Sequence, residues 1–223
     1  MATAEKASYV AVGLDEIDTG AALDGSDERV RFDVRRAVGL SSFGINAFRA
    51  KAGAQLIREH DETGVGSSEQ EELYLVLNGG ATFNVDGERV EAPAGSFVFV
   101  GNPAAKRSAV ADEEGTTVLA IGGTPGKAYD PPPAENGEAF AAYNKGDFET
   151  AYAKQQVVLE KQPGSVLAHF NAGCYAARLG RSDEALVHLR RSLELDGRIR
   201  DYIEKDEDLD SLREDPRFEA LTK

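Results

Sequence analysis

The first half of the chain alternates apolar and polar positions over short runs, and the second half spaces its apolar positions as helices do. From Phe43 onward the apolar runs are Phe43-Gly-Ile-Asn-Ala-Phe48, Ala54-Gln-Leu-Ile-Arg-Glu-His60, Leu73 to Leu77, Ala81 to Val85, Gly95-Ser-Phe-Val-Phe-Val100 and Thr116 to Ile121. Ala52-Gly53 and Asn78-Gly79-Gly80 separate them, and Asp86-Gly87 is a pair that favours a tight hairpin. Runs of this length, with no helical pattern between them, predict about eight antiparallel strands closed into a barrel or sandwich. The patch Tyr9-Val-Ala-Val-Gly-Leu14 predicts a short strand docked on that barrel. Arg29 to Arg36 fits strand or helix, because periodicity over so short a run does not separate them.

The pattern changes after Gly122-Gly-Thr-Pro-Gly126. Asp130-Pro-Pro-Pro133 predicts a stiff linker, since consecutive prolines favour extended geometry. The expected division is a β domain over 1–129, a linker over 130–133 and a helical domain over 134–223. Within the last, Gly146 and Gly180, Ala151 and Ala185, and Pro163 and Gly197 are each 34 residues apart. The glycines suit tight turns between helices, and the alanines suit places where helices cross closely. Gly173 is a further close-approach position, matched in the first copy by Ala139. About three repeats are normally needed for a stable stack. The tail from Ser211 to Leu221 supplies a cap, with Asp215 as N-cap, Pro216 in the first turn, and Phe218 and Leu221 as its apolar face.

Two resemblances follow from these residues. Glu72 and Gly79, then Gly87, Pro93, Gly95 and Asn102, stand at the spacings of the two motifs of the cupin family, which the segment resembles. That resemblance implies a jelly-roll barrel with a pocket between its sheets and pairing of barrels into a homodimer. Many cupins hold a divalent metal through three imidazoles and a carboxylate. Here Val98 stands where the second motif has its histidine, and His60-Asp61-Glu62 is the only stretch that can stand for the first motif's histidine pair. The nine-residue loop from Thr63 to Glu71 is longer than the family's spacing. The helical repeat, with its period of 34, resembles the tetratricopeptide repeat family, whose longer arrays bind peptides in a concave groove.

If Glu72 points inward, Tyr74 and Val76 share its face, as Ser96 and Val100 share the face of Val98, and Arg58 that of His60. The expected ligand-binding set is therefore His60, Glu72, Tyr74, Val98, Asn102 and Arg107, with Val76 and Phe83 as apolar walls. Such a mixture suits a small-ligand site and equally a filled barrel. For Arg107 the first expectation is a solvated surface arginine, the second a partner for Glu72 or an anionic ligand. His60, Glu62 and Glu72 form one nitrogen and two carboxylates, a set that iron, manganese or zinc accepts, but short by one imidazole. The first expectation is no tightly bound metal.

No phosphate-binding loop or nucleophile elbow is present. Cys174 reads as a buried packing residue, and with one cysteine no internal disulfide forms. The formal charge of −14, from 39 acidic and 25 basic residues, argues against nucleic acid and anionic membranes as partners. No apolar run approaches the ~20 residues of a bilayer span. The start Met1-Ala-Thr-Ala-Glu-Lys6 has no secretory core. The expectation is a bacterial-type cytoplasmic protein, acting as a non-enzymatic small-molecule-binding barrel, a protein-interaction module, or both. The alternative is a metal-dependent dioxygenase or isomerase built on His60, Glu62 and Glu72, with Tyr74 as proton donor and Arg107 on an anionic substrate. Arg178, Arg190 and Arg191 are candidates for contacting an acidic peptide.

Overall fold

The computed structural model describes residues 9–17, 19, 28–65, 67, 69–130 and 132–222. The N-terminal hexapeptide and one linker proline, Pro131, lie outside them. The chain divides into two compact units, Met1–Thr63 with Ser67–Pro131, and Gly64–Gly66 with Pro132–Lys223.

The first unit contains β1 (Arg29–Phe32), helix α1 (Val34–Val38), β2 (Gly44–Ala50), β3 (Gln55–His60), β4 (Glu71–Asn78), β5 (Gly80–Val85), β6 (Glu88–Pro93), β7 (Phe97–Val100), β8 (Arg107–Ala111) and β9 (Thr116–Gly123). A five-stranded sheet runs β1-β2-β9-β4-β7 and a four-stranded sheet β3-β8-β5-β6. The antiparallel pairings are nested: β5 with β6, β4 with β7, β3 with β8, β2 with β9. This is one long hairpin folded over itself into two sheets, which is a jelly roll. Its innermost turn is Asp86-Gly87, where φ of 51° and 89° gives the two left-handed residues that a type I′ turn requires.

Alternation along β4 turns Tyr74 and Val76 into the barrel, where they pack with Leu56, Ile57, Phe83 and Val118 among alanines 81, 92, 109 and 111. Leu73 and Leu75 face the other side, half-buried. Gly79 closes the turn into β5 with φ of 72°, and a Cβ there would sit 2.5 Å from Thr116 Oγ1. Only glycine fits that turn.

The structure corrects the N-terminal expectation. Tyr9 to Gly13 has no regular structure, and Leu14–Glu16 is a single 3-10 turn. Tyr9 and Val10 are exposed, while Leu14 and Ile17 pack with Phe32, Ala47 and Leu119. Arg29 to Arg36 proves to be both alternatives: β1, then the start of α1, with the Asp33 carboxylate accepting from the Arg36 amide at the switch.

The second unit comprises α2 (Ala134–Asn144), α3 (Phe148–Lys161), α4 (Val166–Arg178), α5 (Ser182–Leu195), α6 (Arg200–Lys205) and α7 (Pro216–Thr222), with 3-10 turns at Gly197–Ile199 and Glu207–Leu212. Gly146 and Gly180, with φ of 76° and 72°, make the turns from α2 to α3 and from α4 to α5. Asp147 and Ser165 accept from the amides of Thr150 and Ala168 and so cap α3 and α4. Ala151 and Ala185 are fully buried. At Gly173 an added Cβ would lie 2.7 Å from Leu189 Cδ2, so the two helices touch there; Ala139, at the matching position, is also fully buried. The Asp215 carboxylate accepts from the Arg217 amide, and Phe218 joins Ile199, Ile203, Leu209 and Leu212 in the core. Among the described residues, no helix is long and apolar enough to cross a membrane.

Candidate functional site

β3, the loop after it, β4 and β8 bring five ionisable side chains together. Glu72 is the hub. Its Oε2 accepts from the Tyr74 hydroxyl at 2.5 Å and from Arg107 Nε at 3.0 Å, and lies 3.3 Å from His60 Nε2. His60 Nε2 is also 3.6 Å from Glu62 Oε1. Tyr74 is there by simple alternation along β4, and Arg107 reaches across from the facing sheet.

His60 is there for a less regular reason. β3 pairs Ile57 with Ala109 and His60 with Arg107, so three residues of β3 oppose two of β8. That irregularity changes the parity of the strand, as a bulge does. Ile57 and His60 both turn toward the interior while Arg58 faces out, so the expected sharing of a face by His60 and Arg58 is not realised. The Arg58 carbonyl, 2.7 Å from His60 Nδ1, fixes the ring so that Nε2 addresses the carboxylates. Beyond the strand, Asp61 accepts from the amide and hydroxyl of Thr63, and the Glu62 amide donates to Pro103 O, which turns the Glu62 side chain in.

Arg107 corrects the first expectation: its side chain is fully buried, with none of its area exposed. Its Nη1 donates to the carbonyls of Pro103 and Ala105, and its Nη2 is buried with no partner among the described residues. Asn102 is exposed, and its Oδ1 accepts from the Ala104 amide, so it shapes the turn that carries those two carbonyls. Val98 is half-buried against the barrel core, opposite Tyr74, and offers no ligand atom.

These contacts perturb every carboxyl in the cluster. Burial alone would push Glu72 up, but hydrogen bonds from His60 and Tyr74, with the charges of His60 and Arg107, hold it below the usual carboxylate range. Burial and the neighbouring Glu72 charge push Glu62 up. The hydrogen bond to Glu72 raises His60 against the opposing effect of burial, and burial beside the same carboxylate raises Tyr74 strongly. With His60 protonated, two cations face two carboxylates and the cluster is neutral.

Ligand atoms of His60, Glu62 and Glu72 all lie within 4.8 Å of one another. One imidazole and two carboxylates are donors that a borderline or hard divalent cation accepts. A second group of this kind, Cys174, Asp206 and Asp208, was not anticipated from the sequence. Asp208 accepts there from Tyr143 and ion-pairs with Arg178 at 2.6 Å, and burial raises the Cys174 thiol. The group ties a 3-10 turn to α2 and α4. Arg178, expected as a peptide contact, is thus engaged by Asp208 and also lies 4.3 Å above the Phe148 ring.

No family model matches this sequence, and no curated protein matches it. Among solved structures, the chain is similar to a cupin protein from Bacteroides fragilis, at 21% identity over 56% of this chain and 92% of that one, with a TM-score of 0.40. It is similar to a sugar phosphate isomerase from a cupin superfamily from Silicibacter pomeroyi, at 23% identity over 55% and 77%, with a TM-score of 0.42. It is also similar to a predicted oxalate decarboxylase from Thermotoga maritima, at 18% identity over 51% and 97%, with a TM-score of 0.39.

Proposed function

We propose that the barrel is a cupin-like binding module for a small polar ligand, and that the ligand site is the cluster of His60, Glu62, Glu72, Tyr74 and Arg107. The observation that carries this reading is the buried Arg107 guanidinium, one nitrogen of which has no partner among the described residues. An unsatisfied buried donor costs about 1–3 kcal/mol, more when charged, and an acceptor on a ligand removes that cost. Val98 and Phe83 belong to the apolar core that packs with Tyr74 of the cluster. A panel of small carboxylic acids and polyols tests the reading by chemical-shift changes at His60 and at the Arg107 side chain. Binding abolished by Arg107→Met is the expected outcome, and no shift at millimolar ligand defeats it.

The second reading places a divalent cation on His60, Glu62 and Glu72, favoured by their convergence within 4.8 Å. When bound, such a cation supplies Lewis acidity to a substrate oxygen. Arg107 would hold an anionic group, and Tyr74 would keep its proton up to high pH as a donor. Elemental analysis of untagged protein separates the two readings: one metal per chain, lost in His60→Ala, supports the cation.

The helical unit is read as two tetratricopeptide-like hairpins with a C-terminal cap, acting as a protein-interaction surface. Support comes from the left-handed glycines and buried alanines recurring at an interval of 34. The proposed assembly is a homodimer through the barrel, and the proposed compartment is the cytoplasm. The prolines near 130–133 serve as the linker.

A further inference from the structure

We infer that the outer face of the five-stranded sheet carries a second small-ligand site, and that it takes a zwitterion with an apolar body, a free α-amino acid or another ammonium carboxylate of that size. Its floor is set by register. Leu73 on β4 pairs with Phe99 on β7 and with Ile121 on β9, and Glu71 pairs with Gly123. Alternation sends Glu72 and Tyr74 into the barrel, so Glu71 and Leu73 point away from it. The face is back to back with the barrel cluster, and the sheet separates the two.

Three aromatic rings, Phe43, Phe99 and Tyr129, wall a hollow of about 360 Å3 over that floor. Glycines shape it. At Gly101 an added Cβ would come within 2.8 Å of Phe99 Cε1, so the missing side chain gives that ring its place. At Gly44 an added Cβ would lie 3.2 Å from the Tyr129 hydroxyl, so the phenol rests against bare backbone. Gly123 differs from both. It lines the hollow, and a Cβ added there meets nothing within 4 Å. The space beside Gly123 is left open by the fold around it.

The charges give the ligand its class. Glu71, half-buried, and Lys127, exposed, line the same hollow. Neither has an ion-pair partner among the described residues, and they do not pair with each other. Elsewhere Arg49, Arg89, Lys154, Lys161 and Arg181 all reach carboxylates. The Lys127 segment is held by a turn, with Gly126 at φ of 70° and the Lys127 amide donating to Thr124 O at 3.1 Å. Opposite charges kept apart around an aromatic hollow are completed by one molecule that carries both complements. Its ammonium meets the Glu71 carboxylate and the ring faces, which attract cations. Its carboxylate accepts from Lys127, and its apolar body covers Leu73 and Ile121. The volume is at the small end of ligand clefts, which suits a molecule of amino-acid size.

The test uses the full-length chain, labelled with 15N and with 13C in its methyl groups, and three probes of one shape: L-phenylalanine, phenethylamine and hydrocinnamate. L-Phenylalanine is expected to shift the Leu73 and Ile121 methyls and the Gly123 amide, and to leave the Val98 methyls inside the barrel unmoved. The probes with one charge are expected to bind about tenfold more weakly, the worth of one charge-assisted hydrogen bond. Glu71→Gln should weaken L-phenylalanine and phenethylamine by about that factor and leave hydrocinnamate unchanged. Lys127→Met should weaken L-phenylalanine and hydrocinnamate and leave phenethylamine unchanged. Gly123→Leu fills the hollow and should abolish binding of all three, with the far-ultraviolet spectrum retained. Equal affinity for the three probes, L-phenylalanine binding that survives Gly123→Leu, shifts at Val98 in place of Leu73, or no shift at ~10 mM probe overturns the inference.

Discussion

Glu72 without its carboxylate leaves the Arg107 guanidinium inside the barrel without the carboxylate it is ion-paired with. Breaking a buried ion pair by removing one partner costs about 3–5 kcal/mol, far more than a surface pair contributes. Glu72→Ala is therefore expected to lower barrel stability by about that much in urea unfolding, while Glu72→Gln with Arg107→Met recovers most of it. A cost under about 1 kcal/mol would mean that the guanidinium escapes to water. The same cluster sets a pH dependence. His60 is raised from 6.5, chiefly by its hydrogen bond to Glu72, so its contribution is complete below 6.5 and is lost as pH rises through the raised value. Glu72 is lowered from 4.5, so its contribution is present above 4.5 and is lost as pH falls through the depressed value. Glu62 is raised from 4.5, so ionising it costs stability on the alkaline side. The barrel should be most stable between these ranges, and its urea midpoint should fall from about pH 6 to pH 8. His60→Gln should flatten that slope. At this scale Glu72 and Tyr74 were legible in the sequence because a regular strand obeys alternation. Arg107 was legible only as a second choice, since nothing local to a strand position distinguishes a solvated arginine from one paired across the barrel. The inward turn of His60 was not legible, because it depends on a β3–β8 register irregularity that no residue of β3 announces.

Two neighbouring helices meet at one missing methyl group. Gly173 on α4 lies under Leu189 on α5, where an added Cβ would come within 2.7 Å of the leucine side chain. Gly173→Ala should therefore cost about 1–3 kcal/mol through overpacking, despite alanine's better helix propensity. Leu189→Ala should cost about 2–5 kcal/mol by leaving a cavity. Because the two changes share one space, the double variant should be less destabilised than the sum, read by thermal denaturation of the helical circular dichroism signal. Strict additivity would mean that the contact carries no strain. The helices were readable from glycine and alanine recurring at a fixed interval, since turns and crossings constrain residue size locally. The N-terminal patch was misread for a related reason. Tyr9 to Leu14 has β-like residues, but the packing is done by Leu14 and Ile17, and the choice between strand and coil lies with the tertiary partners Phe32, Ala47 and Leu119.

The five-stranded sheet ends on β7, whose outer edge has no neighbouring strand among the described residues. Phe97 and Phe99 on that strand are 66% and 60% exposed. Phe99, with Phe43, Leu73 and Ile121, lines a depression of about 360 Å3 on the same outer face. Exposed aromatics along an open strand edge are an association surface, and monomers normally blunt such edges with charge or proline. For the proposed homodimer, antiparallel β7 strands would continue the sheet across a two-fold axis and set the aromatic pairs against each other. Sedimentation at micromolar concentration should then show a dimer, converted to monomer by Phe97→Glu with Phe99→Glu while the far-ultraviolet spectrum is retained. Salt gives a second check at the scale of the whole chain. Each copy carries a formal charge of −14, so like-charge repulsion opposes association and is screened as ionic strength rises. Dimerisation should strengthen between about 50 mM and 500 mM NaCl, where the Debye length shortens from about 14 Å to about 4 Å. A wild-type chain that stays monomeric at high salt and ~100 μM would remove the homodimer and leave the open edge to a different strand.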